Sequence, residues 1–151
     1  MIDRKQVLYY LQTQYEDELL TKQIDEMSQL LKTIVDFKVV MHIIQKEEAI
    51  NKQLISGNDI MTFLNDCDQI IIMIATLGMN VDRNIKKYKI MDMGKAYVLN
   101  ACANVYLEAK CDEYYEQLQK QYLKQHLYLS DRYACGYQDY PLEAQKQLAF
   151  M

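Results

Sequence analysis

Glycine and proline are scarce in this chain, with four and one respectively among 151 residues. Cheap turns are therefore few, which excludes a fold of many short hairpins and points to long helices. Tryptophan is absent, whereas tyrosine occurs thirteen times. No excess of positive charge exists: the formal net charge is -4, which argues against a nucleic-acid partner. The longest apolar run, Ile70 to Ala75, has the length of a strand and is far short of a bilayer span, so no membrane partner is expected. The opening Met1-Ile2-Asp3-Arg4-Lys5 is not expected to be a signal peptide. Cys67, Cys102, Cys111 and Cys135 form no CxxC pair and no His/Cys ligand spacing, as expected of reduced, mostly buried thiols in a cytoplasmic protein.

What is present reads as one globular module. Half of the residues are hydrophobic and a quarter are charged. Asp3 is expected to cap a short helix carrying Val7, Leu8 and Leu11. A second helix is predicted from about Asp17 to Val35, because Leu20, Ile24, Met27, Leu31, Ile34 and Val35 recur at three- and four-residue steps. Phe37 to Ile44 is predicted as a strand whose better-buried face carries Phe37, Val39, Met41 and Ile43. Ser56-Gly57-Asn58-Asp59 marks a turn into a helix with Ile60, Phe63 and Leu64, ended by Cys67-Asp68. Ile70 to Ala75 is expected to be a strand buried on both faces and stopped at Thr76-Leu77-Gly78. Asn80 or Asp82 starts a further helix, and Asp92 caps a long one reaching about Gln125. Tyr128 to Tyr137 is too irregular to assign, and Asp139-Tyr140-Pro141-Leu142-Glu143 is expected to start a last helix. The order predicts an α+β, helix-rich fold with a small mixed or antiparallel sheet flanked by long helices.

Two places could carry chemistry. On the long helix, Ala101, Val105, Glu108, Cys111, Tyr115, Leu118 and Tyr122 fall on one stripe, with Glu108 its single charge. A carboxylate on an apolar face needs a partner. That partner is either a nearby basic or tyrosine side chain or a cationic or hydroxylated ligand, unless Glu108 sits at the stripe's wet edge. The second place is Arg132-Tyr133-Ala134-Cys135-Gly136-Tyr137. Arginine can grip a carboxylate through two parallel hydrogen bonds, glycine permits close backbone approach, and tyrosines offer flat faces. The same residues also suit an ordinary turn.

Several chemistries lack their residues. No GxGxxG, Walker, GxSxG or CxxxCxxC pattern occurs, nor an Asp-x-His-x-x-Gly stretch to supply a cobalt ligand. His42 and His126 lie in unrelated segments and read as structural or surface residues. No residue is assigned a catalytic or metal-ligating role.

Taken in order, four segments resemble the activation domain of cobalamin-dependent methionine synthase, in the form of stand-alone proteins similar to it. They are Asp3-Arg4-Lys5-Gln6-Val7-Leu8, Ser56-Gly57-Asn58-Asp59-Ile60, Cys67 to Gly78 with its Ala75-Thr76-Leu77-Gly78 ending, and Arg132-Tyr133-Ala134-Cys135-Gly136-Tyr137 followed by Pro141-Leu142-Glu143 and Gln145. The resemblance covers most of the chain and is most specific in the last segment. It implies a module over residues 1–151, shortened at its C-terminus, that binds S-adenosylmethionine and docks on the cobalamin-binding module of methionine synthase or a related corrinoid protein. A flavodoxin-type electron donor would reduce the oxidised cobalamin, and S-adenosylmethionine would then remethylate it. Such a module is an accessory to the methyltransferase system and not a complete enzyme. By position, Arg132 matches the arginine that holds the donor's carboxylate, and Ala134 and Gly136 match backbone positions beside it. Tyr137 matches the tyrosine that follows, and Glu108 falls where an acidic residue faces the donor's amino group. Cys135 stands where the family usually has proline, which implies a less rigid loop. The alternative is a docking module for a corrinoid protein that does not bind S-adenosylmethionine. A helical adaptor unrelated to methyl transfer is a third reading.

Overall fold

A computed structural model describes residues 2–151. The fold is α+β and helix-rich, with one two-stranded antiparallel sheet. Contacts among these residues divide the span expected as one module into two compact units, residues 2–38 with 75–127, and residues 39–74 with 128–151.

The first unit is helical, and aspartates start three of its helices. The Asp3 carboxylate accepts from the Lys5 amide at the head of α1 (Arg4–Tyr10). Asp17 accepts from the Leu20 amide at 2.7 Å at the head of α2 (Glu18–Ile34). Each occupies an N–H that a helix start leaves unpaired. The chain returns to this unit after the sheet and forms α5 (Met79–Met91) and α6 (Met93–Leu123). Asp92 closes α5 and caps α6 through the Lys95 amide at 3.1 Å. Around α6 pack α1, α2 and α5. Val7, Ile24, Met27 and Leu31 meet Val81, Ile85, Leu99, Cys102 and Val105 in one core. Lys95 reaches from α6 to Glu26 on α2, 2.8 Å away, and Arg4 of α1 pairs with Asp25 of α2.

The second unit holds most of the sheet. β1 (Lys38–Gln45) pairs with β2 (Gln69–Thr76). Between them lie α3 (Lys46–Asn51) and α4 (Asn58–Phe63), and α7 (Ala144–Leu148) follows the last loop. Ile44, Ala49, Leu54, Ile60, Leu64, Ile72, Tyr140 and Ala144 make its core. The Lys46 ammonium donates to the carbonyls of Leu64 and Asn65, at 3.1 and 3.0 Å, which satisfies acceptors at the C-terminal end of α4.

Both strands and several helices differ in detail from the sequence reading, α5 among them, which starts at Met79 after Gly78 and not at Asn80 or Asp82. The fully buried residue of β1 is Ile44, while Met41 and Ile43 of the expected inner face are exposed. Ile44 is the residue that reaches the core beneath α3 and α4, and alternation carries no information about where that support ends. β2 is half-covered rather than buried on both faces, with Ile72 alone fully enclosed. The helix after Gly57 stops at Phe63, one turn earlier than Cys67-Asp68. Finally, the last helix begins at Ala144 instead of at Asp139–Glu143, because those residues are engaged in turns.

Leu99 has no exposed surface and lies among helices on several sides. Leu99→Ala is expected to cost about 2–5 kcal/mol, the range for a leucine whose site cannot collapse. Urea unfolding measures it, and a loss under about 1 kcal/mol would show that the core closes over the gap.

Candidate functional site

The segment Arg132–Tyr137 lies in the second unit as part of a tight double turn. The Gly136 N–H donates to the Tyr140 carbonyl at 2.8 Å, the Tyr137 N–H to the Ala134 carbonyl at 3.2 Å, and the Tyr140 N–H to the Tyr137 carbonyl at 3.1 Å. Gly136 adopts φ +86°, a conformation side chains disfavour. A Cβ there would also come within 3.1 Å of the Leu142 side chain. Arg132, Ala134, Gly136 and Tyr137 are all exposed on this turn.

Its underside is anchored. Tyr140 is almost fully buried and donates its hydroxyl to the Leu54 carbonyl at 2.7 Å. Burial pushes that phenol well above its ordinary value, and the neighbouring Cys135 thiol adds to the shift. The Tyr133 ring packs on Phe63, Tyr137 and Tyr140, with centroids 5.1, 5.4 and 6.3 Å away. Its hydroxyl is shielded from solvent and has no hydrogen-bond partner among the described residues. Desolvation raises the Tyr133 phenol, and the carboxylates of Asp59 and Asp139 raise it further.

Asp139 ties the turn to α4. Its carboxylate accepts from the amides of Asn58 and Asp59, the latter at 3.2 Å through either oxygen. The cap position of α4 is Gly57, which has no side chain of its own to do this. A Cβ on Gly57 would fall 2.5 Å from an Asp139 oxygen, and its φ of +127° suits glycine alone. A residue about eighty positions away therefore supplies the cap. Sequence reasoning missed this role for Asp139. Its one trace was the absence of a capping side chain at Gly57.

Glu108 belongs to α6 of the first unit. It is exposed, whereas Ala101, Val105, Cys111 and Leu118 of the same proposed stripe are buried. The reason lies in the helix. From Ala96 to Val105 buried residues encircle most of α6. Beyond that, burial moves to Cys111 and Leu118. Cys102 and Cys111 are two and a half turns apart at about 3.6 residues per turn, so they point to opposite sides. Glu108 sits where one buried face gives way to the other, and it occupies the wet edge.

No three His, Cys, Asp or Glu side chains come together to hold a metal ion among the described residues. An open hollow of about 600 Å³ lies in the first unit beside α1, between Lys5 and Gln14, and is lined by neither Glu108 nor residues of the Arg132 turn. No helix among the described residues is long and apolar enough to cross a membrane. Comparison of the sequence with known proteins finds no matching family model and no matching curated protein.

The Tyr140 phenol stays protonated in the fold while the unfolded chain ionises it above pH 10, the ordinary tyrosine value. Stability contributed by this group is complete below pH 10 and falls as the pH rises further. Tyr140→Phe is expected to lower stability at neutral pH by about 1–2 kcal/mol, since the buried Leu54 carbonyl loses its donor. The variant should also lose less stability than the parent on going to alkaline pH. Denaturant melts at neutral and alkaline pH measure both effects, and parallel losses in the two proteins would contradict the second.

Proposed function

We propose that this chain is an S-adenosylmethionine-binding reactivation module for a cobalamin-dependent methionine synthase or a related corrinoid methyltransferase, working in the cytoplasm. The observation that supports this reading is the anchored turn. It holds Arg132, Ala134, Gly136 and Tyr137 on its exposed side while Tyr133, Asp139 and Tyr140 fasten it from beneath.

The chemistry of the turn fits the amino-acid end of the donor. The Arg132 guanidinium suits a carboxylate, which it can meet with paired charge-assisted hydrogen bonds. The turn consumes the Gly136 N–H and the Ala134 carbonyl internally. The Ala134 N–H and Gly136 carbonyl take no part in that backbone bonding among the described residues, and they suit polar atoms of a ligand laid along the loop. Tyr137, which is 57% exposed, offers a flat face beside them. S-adenosylmethionine would supply the methyl group, and the cobalamin that accepts it would belong to the partner, along with the flavodoxin-type donor of electrons. The work of this chain is to bind and orient the methyl donor.

A second reading has its own support. Glu108, the acidic residue that the family resemblance assigns to the donor's ammonium, is exposed and belongs to the first unit. A chain that docks on a corrinoid protein without binding S-adenosylmethionine needs no such residue.

Calorimetric titration with S-adenosylmethionine, with S-adenosylhomocysteine as control, separates the two. Saturable binding is expected, weakened about tenfold or more in Arg132→Ala, as loss of a charge-assisted pair implies. Glu108→Gln tests the ammonium contact independently. Equal affinity in Arg132→Ala and the parent would sink the assignment. A folded parent that does not bind, yet retains a cobalamin-binding protein in a pull-down, would establish the docking reading.

A further inference from the structure

β1 is left open on three sides. Val40, Met41, His42 and Ile43 are consecutive and all exposed, with Val40 at 63%, Met41 at 37% and Ile43 at 44%. Alternation puts Val40 and His42 on one face and Met41 and Ile43 on the other, so neither face is covered along this stretch. One edge of β1 is bonded to β2, and the two-stranded sheet brings no strand to the other. Proteins protect such an edge with proline, a bulge, central charges or a covering element. β1 contains no proline, no glycine and no acidic residue, and its one formal charge, Lys38, stands at its first position.

We propose that β1 pairs edge to edge with β1 of a second copy of this chain. The two strands run antiparallel about a two-fold axis, giving a four-stranded sheet in the order β2, β1, β1, β2.

The composition of β1 selects a second copy as the occupant. A two-fold axis perpendicular to the sheet keeps the same face up in both copies, so opposite residues must have the same parity. Centred on Met41, the register sets Met41 against its own copy, Val39 against Ile43, and Val40 against His42. These pairs set apolar side chains against one another or against His42, and none places two like charges opposite each other. Lys38 then lies opposite Ile44, and the two lysines fall at opposite ends of the ribbon. A parallel arrangement would instead bring the lysines side by side. The exposed edge is thus its own complement, with no like charges meeting. A sheet of four strands also escapes the marginal stability of two. The pairing is independent of the Arg132 turn and holds whether or not a methyl donor binds there.

Sedimentation equilibrium of the whole chain tests the pairing. The expected mass is twice 17.9 kDa at concentrations on the order of 100 µM, with a melting temperature that rises with protein concentration. Val40→Lys and Ile43→Lys each alter an exposed side chain, so both should fold, as checked by far-ultraviolet circular dichroism. Each is expected to sediment as a monomer with a concentration-independent melting temperature. Ile90→Lys, at a 90% exposed apolar position on α5 of the first unit, serves as the control and should remain dimeric. A monomeric parent throughout that range would overturn the proposal. So would a dimer that survives both β1 substitutions, or one that Ile90→Lys dissociates while they do not.

Discussion

Helix α6 can be enclosed by α1, α2 and α5 because its first half is built largely of small residues. Ala96, Ala101, Cys102 and Ala103 leave room for neighbouring backbones to come close, while Val98, Leu99 and Val105 fill the remaining space. Burial encircles most of the first half of α6 and then changes sides at Cys111 and Leu118, which is why the 31-residue helix as a whole shows almost no amphipathic contrast. The other elements of the first unit depend on this axis. α2 presents Ile24, Met27 and Leu31 to it, α5 presents Val81 and Ile85, and α1 contributes Val7. Replacing the alanines by larger residues would force the helices apart, since close-packed interiors accept added volume poorly.

The second unit uses a different economy of parts. Its helices α3, α4 and α7 have six, six and five residues, too short to hold themselves in water. Polar ties from distant residues compensate. Lys46 closes one end of α4 and Asp139 the other, while Tyr140 fixes the loop after Lys52 through the Leu54 carbonyl. The Arg132 turn inherits its shape from the last two of these ties, which join it to α4 and to the loop before that helix.

What the sequence disclosed divides along physical lines. Asp3 and Asp92 were legible as caps, and Asp17 as the start of α2, because each acts on an amide two or three residues away. The stripe of α2 was legible because one face of it is buried. For Glu108 the wet edge was among the readings left open, and a single period could not select it because the buried face of the helix changes sides. β1 was found but its inner face was assigned by alternation alone, and the support beneath Ile44 comes from elements that follow it in the chain. α3 went unnoticed: Gln45 offers no capping hydrogen bond, and a helix of six residues leaves little periodicity to detect. Asp139 escaped because its target lies about eighty residues earlier. At the Arg132 turn, the residue types and the need for glycine were readable, while the buried tyrosines that anchor it were not.

The four cysteines fall two to each unit. Cys102 and Cys111 are buried in the first, and Cys67 and Cys135 are half-buried in the second. Burial raises the Cys102 thiol against the opposing effect of Ser28, whose hydroxyl lies 3.6 Å away, so little reactive thiolate forms there in the closed state. Modification of that sulfur requires the helices around α6 to part. The chain thus carries its own opening clock: the rate at which a thiol reagent captures Cys102 reports how often the helical unit breathes, while the half-buried Cys67 and Cys135 offer reference thiols whose capture needs no such parting of helices.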